Sequence, residues 1–161
     1  MILKQMGSNL MAGKSIMNMS LPVEIFDTKS MLEVIANMMG YFPKFITEAV
    51  AANDPVEQMK YVTMSYIFLN SCFPNALKPF NPILGETFQG ILGGIPIFLE
   101  QISHHPPISS LYIKTADFEA FGNFDIHVDL GLNSAHSKIS YYFTVKMFRS
   151  KTEYVIRLAD V

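Results

Sequence analysis

Two short segments of this sequence carry side chains suited to binding an anion. The first, Glu100-Gln101-Ile102-Ser103-His104-His105-Pro106-Pro107-Ile108-Ser109, sets two histidines side by side and follows them with two prolines. On a regular strand, neighbouring side chains point to opposite faces. Here Pro106 and Pro107 end the pairing and can turn both rings toward one ligand. Imidazoles offer N–H donors and can gain charge near neutral pH. The second segment, Lys78-Pro79-Phe80-Asn81-Pro82-Ile83-Leu84-Gly85-Glu86-Thr87-Phe88, presents a cation and an amide, Lys78 and Asn81, on a backbone stiffened by two prolines. A phosphomonoester carries about −1.5 to −2 charges and several strong acceptors, which paired histidines and one lysine suit. Each segment also has a plain reading, as a strand end and as a helix-to-strand connection. Residue types alone leave both readings open.

Rival chemistries find less support. Adjacent histidines can hold a metal, but no second cluster at ligand spacing accompanies them, and His127 and His136 stand apart. The single cysteine, Cys72, lies at an apolar helix end that offers nothing to activate a thiol. No paired acid and base or nucleophile constellation marks a hydrolase. The expectation is a binding protein with no catalytic residues and no cofactor.

The chain around these segments is oily. Half of its 161 residues are hydrophobic and 16% are charged, against about 25% in an average soluble domain. The surplus has to fill a core, meet a partner or surround an apolar ligand; eleven Met and thirteen Phe fit any of these. A net charge of −2 gives no general attraction to nucleic acid or acidic membranes, so any anion site must be local. One cysteine excludes an internal disulfide and fits a reducing compartment. The apolar stretch from Gly90 to Leu99, broken by Gly93, Gly94 and Pro96, is far shorter than the roughly 20 residues of a membrane span. The expected location is the cytosol.

Helices are expected in the first half and strands in the second. Residues 1–20 are weakly amphipathic, with Leu10, Ile16 and Met17 among the apolar positions, and suit either a frayed terminus or a flap over a cavity. Leu21 to Phe26 reads as extended, because Pro22 disfavours helix at Leu21. Ser30 and Glu33 form a capping-box pattern opening a helix that Gly40 can end. Asp54, Pro55 and Glu57 start a second, in which Met59, Val62, Tyr66, Leu69 and Phe73 recur at helical spacing. Apolar nearly all round, that helix is expected to be buried. Strands are expected over Thr87 to Leu92, Ile95 to Ser103, Ile108 to Thr115, Phe124 to Leu130, Ile139 to Phe148 and Tyr154 to Leu158. Turns are expected at Gly93-Gly94, Gly122-Asn123 and Gly131 to Ser134. Runs at this spacing predict an antiparallel meander, part of a barrel.

Both motif segments resemble the oxysterol-binding protein family. Glu100 to Pro107 is similar to the family fingerprint, with Ile102 where Val is common, and Lys78 to Glu86 is similar to its second motif, at the expected distance upstream. Ser20-Leu21-Pro22-Val23, then Ser30 to Glu33, resembles the entry into the first helices, so the likeness spans about residues 13–115. It implies an α+β fold in which N-terminal helices precede an antiparallel β-meander, part of an incomplete lipid-binding barrel. The implied layout is a lid over residues 1–20, a helical part over 21–75 and barrel strands over 76–161.

The implied activity is transfer of lipids between membranes, with phosphatidylinositol 4-phosphate exchanged for a sterol or phosphatidylserine. By motif position, His104 and His105 would contact the 4-phosphate and Lys78 and Asn81 the headgroup, with Glu86 nearby. The tunnel or lid would draw on Leu10, Ile16, Met17, Leu21 and Ile25. The implied partners are the lipid ligand and, peripherally, membranes such as endoplasmic reticulum contact sites, with no nucleic acid. A family domain is more than twice this length and adds further basic residues that do not occur here. A fragment or shortened member of this kind, whose open barrel edge invites self-association, is therefore expected.

Overall fold

The computed structural model describes residues 23–71, 77–130 and 135–157. A single 3-10 turn, Val23–Ile25, leads into β1, Phe26–Ser30. The stretch expected to be extended therefore coils for one turn first. Three helices follow, α1 (Met31–Met38), α2 (Phe42–Ala51) and α3 (Pro55–Ser71), with a second 3-10 turn, Met39–Tyr41, between the first two. Then come β2 (Lys78–Phe80) and the six strands β3 (Thr87–Leu92), β4 (Ile95–His104), β5 (Pro107–Lys114), β6 (Phe118–Leu130), β7 (Ala135–Met147) and β8 (Thr152–Arg157). β1 and β2 pair in parallel as a small separate sheet; β3 to β8 form one antiparallel sheet in chain order, with β3 and β8 at its edges.

The helix starts obey local rules unevenly. The Asp54 carboxylate accepts the Glu57 N–H at 3.1 Å, as a helix cap should. At Ser30 the expected capping box is not made: the Ser30 side chain bonds no helix N–H, and Glu33 pairs with Lys29 at 3.6 Å. Gly40 does not stop the chain's helical course, because the turn at Met39–Tyr41 passes directly into α2. The signal for α2 was present in Pro43 at its first turn and in Phe42, Phe45, Ile46 and Ala49, all buried at helical spacing.

Alternation along the strands builds the core. Ile97 and Leu99 of β4, Leu111 and Ile113 of β5, Phe118 and Ala120 of β6, and Phe143 and Val145 of β7 are buried together with Leu32, Ile35, Phe42 and Ile46. Phe42 meets Phe118 and Phe143 edge-on, at 6.0 and 5.7 Å between centroids, the arrangement that aromatic quadrupoles favour. Among the described residues, much of the apolar surplus is thus packed between helices and sheet.

Helix α3 departs from expectation. Val62 is buried, but Val56, Met59, Met64 and Ile67 are exposed, while Gln58 and Ser65 face inward. The β7–β8 hairpin explains the inversion at Gln58. Its Oε1 accepts from the Tyr154 hydroxyl at 2.9 Å and from the Ser150 hydroxyl at 3.0 Å, and its Nε2 donates to the Ala49 carbonyl at 3.0 Å. A buried amide so fully bonded carries little desolvation penalty. Arg149 of the same hairpin donates to Asn53 Oδ1 at 2.7 Å.

Gly93 and Gly94 form the expected two-residue hairpin, both at positive φ. Gly122-Asn123 does not turn; it lies inside β6, with Gly122 opposite Phe143. Glycine is required there for closeness: a Cβ would stand 2.2 Å from the Tyr142 carbonyl oxygen and 3.1 Å from Phe143 Cα. The expected turn at Gly131 to Ser134 lies outside the described residues, as do Leu10, Ile16, Met17, Leu21 and Cys72. Glycine inside a strand ordinarily weakens it, so Gly→Ala would normally help by about 0.5–1 kcal/mol. Gly122→Ala is expected to have the opposite sign, lowering the denaturation midpoint, which chemical unfolding followed by circular dichroism checks.

Candidate functional site

The two segments singled out by their residue types meet at one end of the sheet. β2 is fixed first. Phe26 pairs with Lys78 and Ser30 with Phe80 in the small parallel sheet, and the Phe26 and Phe80 rings stack at 5.1 Å. Beyond Phe80 the chain loops through Asn81 and Pro82 to a tight turn at Ile83–Glu86. The Glu86 carboxylate accepts the Ile83 N–H at 3.1 Å, and the Glu86 N–H donates to the Ile83 carbonyl at 3.0 Å. Gly85, at φ +78°, supplies the left-handed residue that this turn requires.

Strand β4 then clasps the loop. The Gly85 N–H donates to the Gln101 carbonyl, and the Gln101 N–H donates to the Glu86 carbonyl, both at 2.9 Å. The Gln101 side chain, 1% exposed, lies inside. Its Nε2 donates to the Ser103 carbonyl at 2.8 Å, and its Oε1 accepts from the Ser109 hydroxyl at 2.5 Å. Pairing shifts here, from Gln101 opposite Ser109 to Ser103 opposite Ile108, so β4 carries an extra residue. A bulge of this kind re-aims the side chains beyond it. Those side chains are His104 and His105. The hairpin turns immediately afterwards, through a cis His105–Pro106 bond, and Pro107 begins β5 opposite His104.

The two rings lie 4.5 Å apart, edge to face. His104 is half-buried, and its Nδ1 lies 2.9 Å from the Pro82 carbonyl oxygen. A carbonyl can only accept, so we assign the proton to Nδ1. Asn81 Nδ2, 3.5 Å from the same nitrogen, is adjacent without being its donor. In the neutral ring Nε2 is then a lone pair; in the protonated ring it becomes a donor. The structure therefore brings Asn81, His104 and His105 together. Lys78 takes a different position: its ammonium stands 5.7 Å from the Phe26 ring centre. Glu86 shapes the turn through its bond to Ile83. Ile25, the last residue of the first 3-10 turn, directly precedes β1.

Sequence reasoning missed Gln101, whose side chain and backbone join both segments. A polar residue between Leu99 and the histidines, in phase with the buried Ile97 and Leu99, was the available signal. On the outer face of the sheet, Phe98, Ile102 and Tyr112 line a shallow cleft of about 270 Å³. The Tyr112 hydroxyl donates to Glu119 at 2.8 Å, and that bond pushes the phenol above its ordinary pKa. Among the described residues, no three His, Cys, Asp or Glu side chains gather to hold a metal ion, and no helix is long and apolar enough to cross a membrane.

Fold and corner together define the class, an unclosed antiparallel meander packed on helices with a twin-histidine hairpin joined to a proline-stiffened loop. The family model described as oxysterol-binding protein matches residues 2–161, and the chain belongs to the oxysterol-binding protein family. It is 38% identical over 126 residues to oxysterol-binding protein 9 of Dictyostelium discoideum, covering 76% of this chain and 29% of that protein. It is 34% identical over 110 residues to human oxysterol-binding protein-related protein 6, covering 66% of this chain and 12% of that protein. Among solved structures, the Osh1 ORD domain in complex with ergosterol superposes with a TM-score of 0.71 at 29% identity, over 88% of this chain and 35% of that one. The fold is also that of the Saccharomyces cerevisiae Osh3 ORD in complex with PI(4)P, with a TM-score of 0.79 at 23% identity, over 96% of this chain and 41% of that one. The chain thus spans well under half the length of these relatives.

Replacing Gln101 by Leu would leave the Ser103 carbonyl and the Ser109 hydroxyl without their partner in the interior. The expected loss is about 1–3 kcal/mol of stability in chemical denaturation, with a displaced His104 ring resonance in NMR.

Proposed function

We propose that this chain binds a phosphoinositide, phosphatidylinositol 4-phosphate, by its headgroup and carries lipid between membranes, exchanging it for a sterol or phosphatidylserine. The observation that carries this reading is the convergence of Asn81 with two imidazoles at one corner. A phosphate needs several donors at once, and charge-assisted bonds to it are about twice as strong as neutral ones. His104, protonated on both nitrogens, would donate from Nδ1 to Pro82 and from Nε2 to the phosphate. His105 and Asn81 would complete the cradle. Lys78, on its flexible stem, would leave the Phe26 face to approach the anion. Sterol complexes of the Osh1 domain, at 29% and 27% identity, support an apolar second ligand. This reading is non-enzymatic: the corner holds, orients and releases. The chain would work in the cytoplasm, peripherally at membranes such as endoplasmic reticulum contact sites.

A second reading keeps the headgroup site but not the transfer. It is favoured by the unclosed sheet, in which β3 and β8 are edge strands among the described residues. Such edges can also pair with a second copy.

Transfer of phosphatidylinositol 4-phosphate and sterol between liposomes separates the two. Transfer by the unsubstituted chain that His104→Ala/His105→Ala abolishes supports exchange. Headgroup binding without transfer supports the second reading, and loss of neither in the double variant sinks both.

A further inference from the structure

The loop that supplies Asn81 also carries an apolar tip. Ile83 and Leu84 are 69% and 67% exposed, and Leu77 and Phe80 of the same segment are exposed as well. Single exposed apolar residues are ordinary; four within one short segment are a patch. From Leu77 to Glu86 the segment holds one lysine and one glutamate, and the glutamate carboxylate is turned back onto the Ile83 N–H. Four backbone groups of the turn are paired internally. The Ile83 N–H is held by Glu86 Oε2, the Ile83 carbonyl by the Glu86 N–H, the Gly85 N–H by Gln101, and the Pro82 carbonyl by His104. A protrusion with oily side chains and many of its polar groups paired internally enters an interfacial layer, where water still reaches the remaining groups, at reduced cost.

We infer that the Ile83–Leu84 tip enters the interfacial layer of a lipid bilayer and sets the headgroup corner against the membrane surface. The inference rests on the phosphoinositide reading of that corner, and it gives the reading a physical route. A lipid headgroup reaches Asn81 and His104 while its chains are still in the bilayer only if this loop lies at the surface. Glu86 is a positioning residue here, since its carboxylate fixes the turn that presents the tip.

The test uses the 161-residue chain with Ile83→Ser/Leu84→Ser and two probes. One probe is a water-soluble inositol 4-phosphate; the other is vesicles of phosphatidylcholine and phosphatidylserine. Headgroup affinity should be unchanged, while partition onto vesicles should fall about tenfold or more, since two apolar side chains lose their burial. Unchanged partition overturns the inference. If neither protein binds the soluble headgroup but partition still falls, the tip stands and the phosphoinositide reading fails. A second variant, Ile83→Trp, reports the tip's surroundings. Blue-shifted emission and quenching by brominated lipids on adding vesicles support insertion. Emission already blue-shifted and shielded from acrylamide before vesicles are added means that protein covers the tip, and overturns it. Concentration dependence of that shielding would identify a second copy as the cover.

Discussion

Two backbone hydrogen bonds at Gln101 hold the site together. One takes the Gly85 N–H and the other reaches the Glu86 carbonyl, so the loop carrying Asn81 is tied to the strand carrying the histidines. The side chain of the same residue bonds Ser103 and Ser109 beneath the bulge. A glutamine buried in an apolar core costs free energy unless its amide is matched at both ends. Here both ends are matched, and the partners it finds are what displace the strand and set the direction of the hairpin. Asn81 and His104 lie 23 residues apart in the chain, and this clasp closes the loop before β3 onto the end of β4.

The remainder of the domain supplies a rigid base for that clasp. The core between helices and sheet fixes β4 and β5 from one side, and close-packed interiors of this kind transmit position faithfully. At the far end, Gln58 and Arg149 tie the start of α3 and its approach to the β7–β8 hairpin through hydrogen bonds. The Gln58 cluster is structural, whereas the Gln101 clasp also carries the loop whose Ile83 and Leu84 stand exposed beside Asn81.

Much of this architecture was legible. Most strand boundaries from Thr87 onward were readable to within a few residues because alternation and Gly93-Gly94 are local signals, but β6 begins at Phe118, six residues before its expected start. Where reading failed, a competing contact decided, distant in sequence at Gly122 and Gln58 and local at Glu33. Gly122 reads as a turn residue, yet it is a point of contact with Tyr142 on the neighbouring strand. Helix α3 reads as buried all round, but partners on β8 and its hairpin draw Gln58 inward and leave Met59 and Ile67 outside. Ser30 and Glu33 match a capping box, and the nearby Lys29 takes the carboxylate instead.

By itself the sequence determined which chemistry was available: adjacent imidazoles before two prolines, an amide in a proline-stiffened loop, and an excess of oil. These follow from residue type and short-range backbone restriction, which a chain carries wherever it is placed. Only the tertiary structure decided which groups meet. It seated the His104 proton against Pro82, gave Glu86 the task of shaping a turn and laid Lys78 over Phe26. Those choices depend on hydrogen bonds and ring contacts between residues far apart in the chain, and their geometry exists only once the sheet has formed.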